Sequence, residues 1–210
     1  MNYSYITIEG CIGAGKTTLA KRIADDYNGK LILEQFEDNP FLPKFYKDQE
    51  KYAFPLEMSF LASRYQQLMD QLSSQDLFHE FTVSDYFITK SLIFARRTLE
   101  KDELSLYSRL FNIIEANLPK PQLLVYLYSD IDRLLSNIKK RGRDYEQDIS
   151  GEYLRNIQEG YFDFIRQQKN KRILIMDTNN VDFVADEKVY EKMIKLILRE
   201  WPVGTHRVVV

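Results

Sequence analysis

The chain carries one cysteine, Cys11, among 210 residues. A lone thiol excludes an intramolecular disulfide and suits a reducing compartment. Long apolar runs are missing as well. The longest, such as LLVYLY at 123–128, falls far short of the roughly 20 residues a membrane-spanning helix needs. Neither sign of charge is in excess: 29 Lys and Arg stand against 31 Asp and Glu, a net charge of −2. Neither nucleic acid nor an anionic membrane surface would attract the molecule as a whole, so neither is expected as a partner. The N-terminal MNYSYITIEG has no basic start and no leader-like apolar stretch, so a cytoplasmic location is expected. No repeat, low-complexity tract or Gly/Ser linker interrupts the chain. Residues 1–210 are therefore read as a single domain, with 44% hydrophobic residues to build its core.

What is present is an alternation of short apolar runs and helical periodicities. Strands are predicted over 3–9, 30–34, 81–85, 122–128 and 172–177. Helices are predicted over 17–27, 57–72, 87–99, 103–117, 130–142, 151–168 and 186–200, with a loop and short helix over 39–48 limited by two prolines. Such alternation predicts a parallel sheet covered on both faces, with ligands bound beyond the carboxyl ends of its strands.

Between the first strand and the first helix lies IEGCIGAGKTT. Gly10, Gly15, Lys16 and Thr17 satisfy G-x-x-x-x-G-K-[ST] in the context that motif requires. Glycines let backbone N–H groups converge on phosphate oxygens, and the helix N-terminus adds its positive end. Lys16 would reach the outer phosphates and the Thr17 hydroxyl would ligate Mg²⁺. The loop residues Gly10, Cys11, Ile12, Gly13, Ala14, Gly15, Lys16, Thr17 and Thr18 are thus candidates for binding ATP, with the Cys11 thiol read as a small spectator. The predicted class is α/β, a P-loop NTPase-type three-layer fold with a central five-stranded parallel sheet and helices on both faces. No N-K-x-D guanine-reading motif is present.

The order of motifs resembles the deoxynucleoside kinase family, nearest its bacterial deoxyadenosine/deoxyguanosine kinase branch, over nearly the whole chain. The likeness rests on IEGCIGAGKTT, LEQFEDNPFLPKFYKD, AFPLEMSFLASRYQQL, VSDYF, IKKRGRDYEQ and LIMDTNN. It implies a homodimeric enzyme transferring the ATP γ-phosphate to the 5′-OH of a deoxynucleoside. Glu34 stands where the family keeps its general base, a role suited to a carboxylate at a strand end facing the phosphate loop. Tyr46 matches a tyrosine at the sugar 3′-OH, with a core aromatic as the alternative. Asp85 matches an acid that organises Mg²⁺. Lys140, Arg141 and Arg143 flank Gly142 in a lid spanning about 137–149. Arg141 and Arg143 take the family's later arginine positions, although such a charge run alone would read as a solvated helix end. Glu146 matches the lid acid that reaches the sugar. Asn137 sits where the family often has a further arginine. By position alone, Asp177 and Thr178 line the adenine of ATP.

Two departures bear on the acceptor. Glu57 occupies the place of a base-reading glutamine, seven residues before Arg64, on the same helix face. An ionised carboxylate only accepts hydrogen bonds, which suits the N1–H and 2-amino donors of guanine, or of another 2-amino-4-oxo ring such as a pterin. Arg64 would donate to O6 or N7. A Glu57–Arg64 salt bridge that merely shapes the pocket is the other reading. Tyr86 replaces an arginine that would hold the catalytic carboxylate, and Lys90, one turn on, is either its substitute or an exposed helix lysine. The expected function is phosphorylation of a purine deoxynucleoside, with deoxyguanosine favoured. The competing readings are a kinase of another small alcohol and a nucleotide-binding regulatory protein with weakened catalysis.

Overall fold

In the computed structural model, residues 2–35, 39–73 and 78–210 are described. Six strands, β1 (Tyr5–Gly10), β2 (Lys30–Ile32), β3 (Thr82–Ser84), β4 (Leu123–Tyr128), β5 (Arg172–Asp177) and β6 (Gly204–Val209), form one sheet in the order β2-β3-β1-β4-β5-β6. Every pairing is parallel. The helices are α1 (Lys16–Tyr27), α2 (Leu42–Lys47), α3 (Gln49–Leu72), α4 (Thr89–Thr98), α5 (Lys101–Glu115), α6 (Ile131–Arg141), α7 (Gly151–Gln167) and α8 (Glu187–Leu198). They flank the sheet, as parallel strands require, since each crossover returns the chain along a face.

The inner strands are apolar because both of their faces are covered. All six residues of β1 are buried, and so are the first five of β4. A main core joins β1, β4 and β5 to α1, α7 and α8 through residues such as Ile6, Ile8, Leu19, Val125, Ile157, Leu174 and Met193. A second cluster, including Leu61, Leu68, Tyr86, Tyr107 and Phe111, ties α3 to α5. A third, with Phe45, Leu56 and Phe60, seats α2 on α3. Among the described residues no helix is long and apolar enough to cross a membrane.

The architecture differs from the sequence expectation at two places. Helix α3 begins at Gln49 rather than Glu57 and carries Pro55 in its interior. The Asp48 carboxylate starts it by accepting from the Lys51 N–H at 3.2 Å, an N-terminal signal strong enough for the helix to run through a residue that cannot donate. The sheet has a sixth strand. β6 pairs along the whole of β5, from Arg172↔Gly204 to Asp177↔Val209, and its alternating exposure is that of an edge strand.

Candidate active site

The sheet order sets β2, β3 and β1 side by side, so the residues that follow them meet at one edge of the sheet. Asp85, just beyond β3, joins the other two. Its Oδ1 accepts from the Glu34 backbone N–H at 2.7 Å and its Oδ2 from the Thr17 hydroxyl at 2.5 Å. One carboxylate thereby locks the start of α1 and the residue after β2 into a fixed relation.

The phosphate loop turns through left-handed glycines. A methyl group on Gly13 (φ 85°) would lie 2.7 Å from the Leu134 carbonyl oxygen, and one on Gly15 (φ 87°) 2.7 Å from the ring of Phe183. No other residue fits those positions without displacing its neighbours. The Lys16 ammonium donates to the Cys11 carbonyl at 3.0 Å across the loop, and Asn137 of α6 donates to the Gly13 carbonyl at 2.9 Å. The Cys11 thiol is buried against the Tyr126 hydroxyl, and burial pushes its pKa up to about 11, which removes thiolate chemistry.

Below the loop, Glu34 is held by two cations. Its Oε1 accepts from Arg64 Nε at 2.8 Å and Nη2 at 2.5 Å, and its Oε2 pairs with Lys90 Nζ at 2.5 Å. Arg64 also donates to the Ser91 hydroxyl at 2.7 Å and stacks on Phe60. Burial alone would raise the Glu34 pKa, but the charges and hydrogen bonds of Lys90 and Arg64 outweigh it and hold the carboxylate down to about 2. Lys90 is buried, so the exposed-helix reading fails. The Glu57–Arg64 salt bridge is not formed either: Arg64 is turned to Glu34 and Ser91, while Glu57 Oε1 accepts only from the Thr98 hydroxyl at 3.2 Å. Glu57 Oε2 is buried without a hydrogen-bond partner. Burial, opposed by Arg64, Thr98 and Lys90 and assisted by Glu34, pushes the Glu57 pKa up to about 7.

Two adjoining cavities share Lys16, Thr17, Arg141 and Arg143. The inner one is lined by Glu34, Tyr46, Glu57, Arg64, Asp85, Lys90 and Glu146 together with an apolar set that includes Phe45, Phe60, Phe94 and Tyr153. Tyr46 rests edge-on against Phe45 and Tyr153. The outer cavity is lined by Gly13, Ala14, Gly15 and Thr18 of the loop, Lys140 of α6 and Thr178 after β5. At the junction, the buried Glu146 carboxylate pairs with two arginines, with Arg141 Nε at 3.0 Å and Arg143 Nη1 at 3.3 Å.

Some expected residues lie elsewhere. Tyr86 lines neither cavity: its ring is buried beside β2 and α3 and its hydroxyl donates to Gln67 Oε1 at 2.6 Å, because a large amphipathic ring gains more from the second core cluster than from a wet site. Asp177 is turned to the edge strand, where its Oδ2 pairs with Arg207 at 3.0 Å. Gly10 and Cys11 are buried beneath the loop, and Ile12 faces the inner cavity rather than the outer one.

Other residues escaped sequence reasoning. Arg133, Val181, Asp182 and Phe183 line the outer cavity, and Arg133 donates to the Val181 carbonyl at 2.8 Å. No pattern in the sequence marks that segment. Glu9, fully buried in β1, accepts from the Tyr161 hydroxyl at 2.8 Å and from the N–H groups of Phe87 and Gly10 at 3.2 and 3.3 Å. Burial raises its pKa, against the pull of Lys90 and Lys16. An acid inside a run otherwise read as a buried strand was the available signal for this tie between β1 and the segment after β3.

A glycine-rich loop with lysine and threonine at a helix start, beside a cavity lined by a buried carboxylate, defines a P-loop phosphotransferase. The chain belongs to the deoxynucleoside kinase family, whose sequence profile it matches over residues 6–201. It is 37% identical over 193 residues to a deoxyguanosine kinase of Bacillus subtilis, covering 90% of this chain and 93% of that one. It is 34% identical over 197 residues to a deoxyadenosine kinase of Dictyostelium discoideum, covering 91% and 78%. The structure of a deoxyadenosine kinase from M. mycoides with bound dATP superposes with a TM-score of 0.77 at 26% identity, over 92% of this chain and 99% of the other.

Proposed function

We propose that the chain phosphorylates the 5′-OH of a purine deoxynucleoside with ATP as donor, and that deoxyguanosine is preferred. The observation that carries the preference is Glu57, a buried carboxylate lining the inner cavity with one oxygen unpaired. Guanine offers that edge two adjacent donors, whereas adenine offers one donor and a lone pair. Arg64 spends three of its five N–H donors on Glu34 and Ser91, which leaves two for O6 or N7. The similarity to a deoxyguanosine kinase supports the same reading, although deoxyadenosine kinases are similar too.

In this reading the inner cavity takes the nucleoside and the outer one takes ATP. The 5′-oxygen attacks the γ-phosphorus, the bond to the β–γ bridging oxygen breaks, and Glu34 accepts the hydroxyl proton. The products are ADP and the deoxynucleoside 5′-monophosphate. In a loose transition state the nucleophile loses its proton late, so a weak but fixed base is sufficient. Lys16, Arg141 and Arg143, which border both cavities, would bear the charge on the moving phosphoryl group. Tyr46 and Glu146 would hold the sugar. Thr17 and Asp85 offer a hydroxyl and a carboxylate 2.5 Å apart at the mouth of the loop, hard oxygen donors that fit Mg²⁺. When bound there, Mg²⁺ would neutralise charge on the donor phosphates.

ATP consumption with each of the four natural deoxynucleosides tests the assignment. Turnover is expected with deoxyguanosine above deoxyadenosine, and a clear adenine preference overturns the guanine reading. The reading includes a homodimer formed through α3 and α5, where Leu106 and Ile113 of α5 are exposed. Sedimentation as a single-chain species would overturn it.

A further inference from the structure

The environment of Glu57 contains an arrangement whose hydrogen bonds can be satisfied in two ways. The Thr98 hydroxyl lies 3.2 Å from Glu57 Oε1 and 3.1 Å from the Phe94 carbonyl oxygen. It has one hydrogen and two acceptors. If that hydrogen goes to Glu57, the carboxylate is ionised and both of its oxygens accept. If it goes back to Phe94, the usual bond of a threonine four residues along a helix, the carboxylate loses its one donor and the protonated acid is favoured, with its hydrogen free to sit on Oε2. Glu57 lines the cavity, and its second oxygen, Oε2, has no protein partner in either arrangement.

We propose that the protonation state of Glu57 selects between purines, the ionised carboxylate taking guanine and the protonated acid taking adenine. The proposal rests on the preceding reading of Glu57 as the base reader. Ionised Glu57 presents two acceptors to the N1–H and 2-amino group of guanine. Protonated Glu57 presents one donor and one acceptor, the pattern of a primary amide, which matches N1 and the 6-amino group of adenine. The wrong pairing in either case sets two lone pairs or two hydrogens against each other inside the cavity, where an unmade hydrogen bond is costly.

The charges around Glu57 come from every element packed on it. Arg64 on α3 and Lys90 on α4 favour the ionised form, and Glu34 beyond β2 opposes it. Tyr107 of α5 donates to the Glu57 backbone carbonyl at 3.4 Å, and Tyr153 of α7 lines the same cavity. Both phenols resist ionisation, so neither adds charge near neutrality. Burial sets these influences close to balance, with a carboxyl pKa pushed up to about 7. The two forms therefore coexist in the pH range where guanine and adenine keep their own protonation states.

If each purine uses one form, the ratio of kcat/KM for deoxyguanosine to that for deoxyadenosine follows the ratio of ionised to protonated enzyme. It then rises about tenfold per pH unit, whatever the value of the pKa. Ionisations shared by both reactions cancel, because the two nucleosides compete in one mixture with the same enzyme and donor. The experiment is that competition between pH 6 and 8.5. The expected result is a rising ratio in the unaltered chain, a ratio independent of pH in Glu57→Gln, and a several-fold lower ratio at pH 7 with the slope retained in Thr98→Val, which loses the donor to the ionised form. A flat ratio in the unaltered chain, with Glu57→Gln still changing its value, overturns the proposal and leaves Glu57 as the base reader. A ratio unchanged by Glu57→Gln at every pH overturns both. A Thr98→Val ratio equal to the parent's throughout removes the hydroxyl from the device.

Discussion

Glu34 and its two cations are the centre of the site. A carboxylate held to about 2 is a poor base in bulk terms, but its pairing with Arg64 and Lys90 fixes where its lone pairs point. Lys90 pairs with Glu34, the contact that the family likeness assigned to an arginine at position 86, while Tyr86 lies in the core. Lys90→Ala should lower kcat by about 10²-fold with little change in KM, by analogy with other removed transition-state donors. It should also shift the acidic limb of the pH–rate profile upward, since losing a neighbouring cation raises the Glu34 pKa. Steady-state kinetics from pH 4 to 8 check both, and unchanged turnover would leave Glu34 dependent on Arg64 alone. The places of motif residues such as Lys16 and Thr17, at the border of both cavities, were legible in the sequence because spacing fixes them. Lys90 against Tyr86 was not, because which of two neighbouring residues enters a core is decided by packing on α3 and α5.

At the level of elements, the strands nearest the site were readable from their continuous apolar runs, and the edge strand was not. In β6, Thr205, Arg207 and Val209 face solvent, so the segment lacks the composition of an inner strand. Likewise the apolar periodicity placed the start of the third helix at Glu57, yet the cap at Asp48 lies more than two turns earlier. β6 lies outside the family-matched residues and covers the edge of β5 with six paired positions. Deleting residues 204–210 should lower the melting temperature and promote aggregation through the bared β5 edge, while kcat for phosphoryl transfer stays near that of the parent. Thermal denaturation, light scattering and kinetics on one preparation test this. A large loss of kcat would show that the strand supports the remote β2–β3–β1 edge.

For the molecule as a whole, Glu34 and Glu57 act on stability with opposite signs. Glu34 has a folded pKa below the ordinary carboxylate value, so its contribution is present above about pH 4.5 and lost as pH falls toward 2. Glu57 has a raised folded pKa, so its contribution is complete below about pH 4.5 and lost as pH rises through about 7. Glu57→Gln removes the second dependence. At pH 8 it should be more stable than the parent by about 3 kcal/mol, with the difference shrinking to below about 1 kcal/mol near pH 5. Chemical denaturation at the two pH values measures it. An equal difference at both would mean that Glu57 is not a titrating burden on the fold. Nearly the whole fold class was visible in the alternation of elements, but such a burden was not, because it depends on which oxygen is left without a partner.

The most direct measurement is transfer of labelled γ-phosphate from ATP to the 5′-position of deoxyguanosine by the intact chain and by Glu34→Gln. The intact chain should form deoxyguanosine 5′-monophosphate. The variant should lose about 10²–10⁴ in kcat, the span of a positioned general base, while still binding ATP at the phosphate loop. No transfer to any deoxynucleoside, or a variant as fast as its parent, would contradict the assignment of the inner cavity and of Glu34.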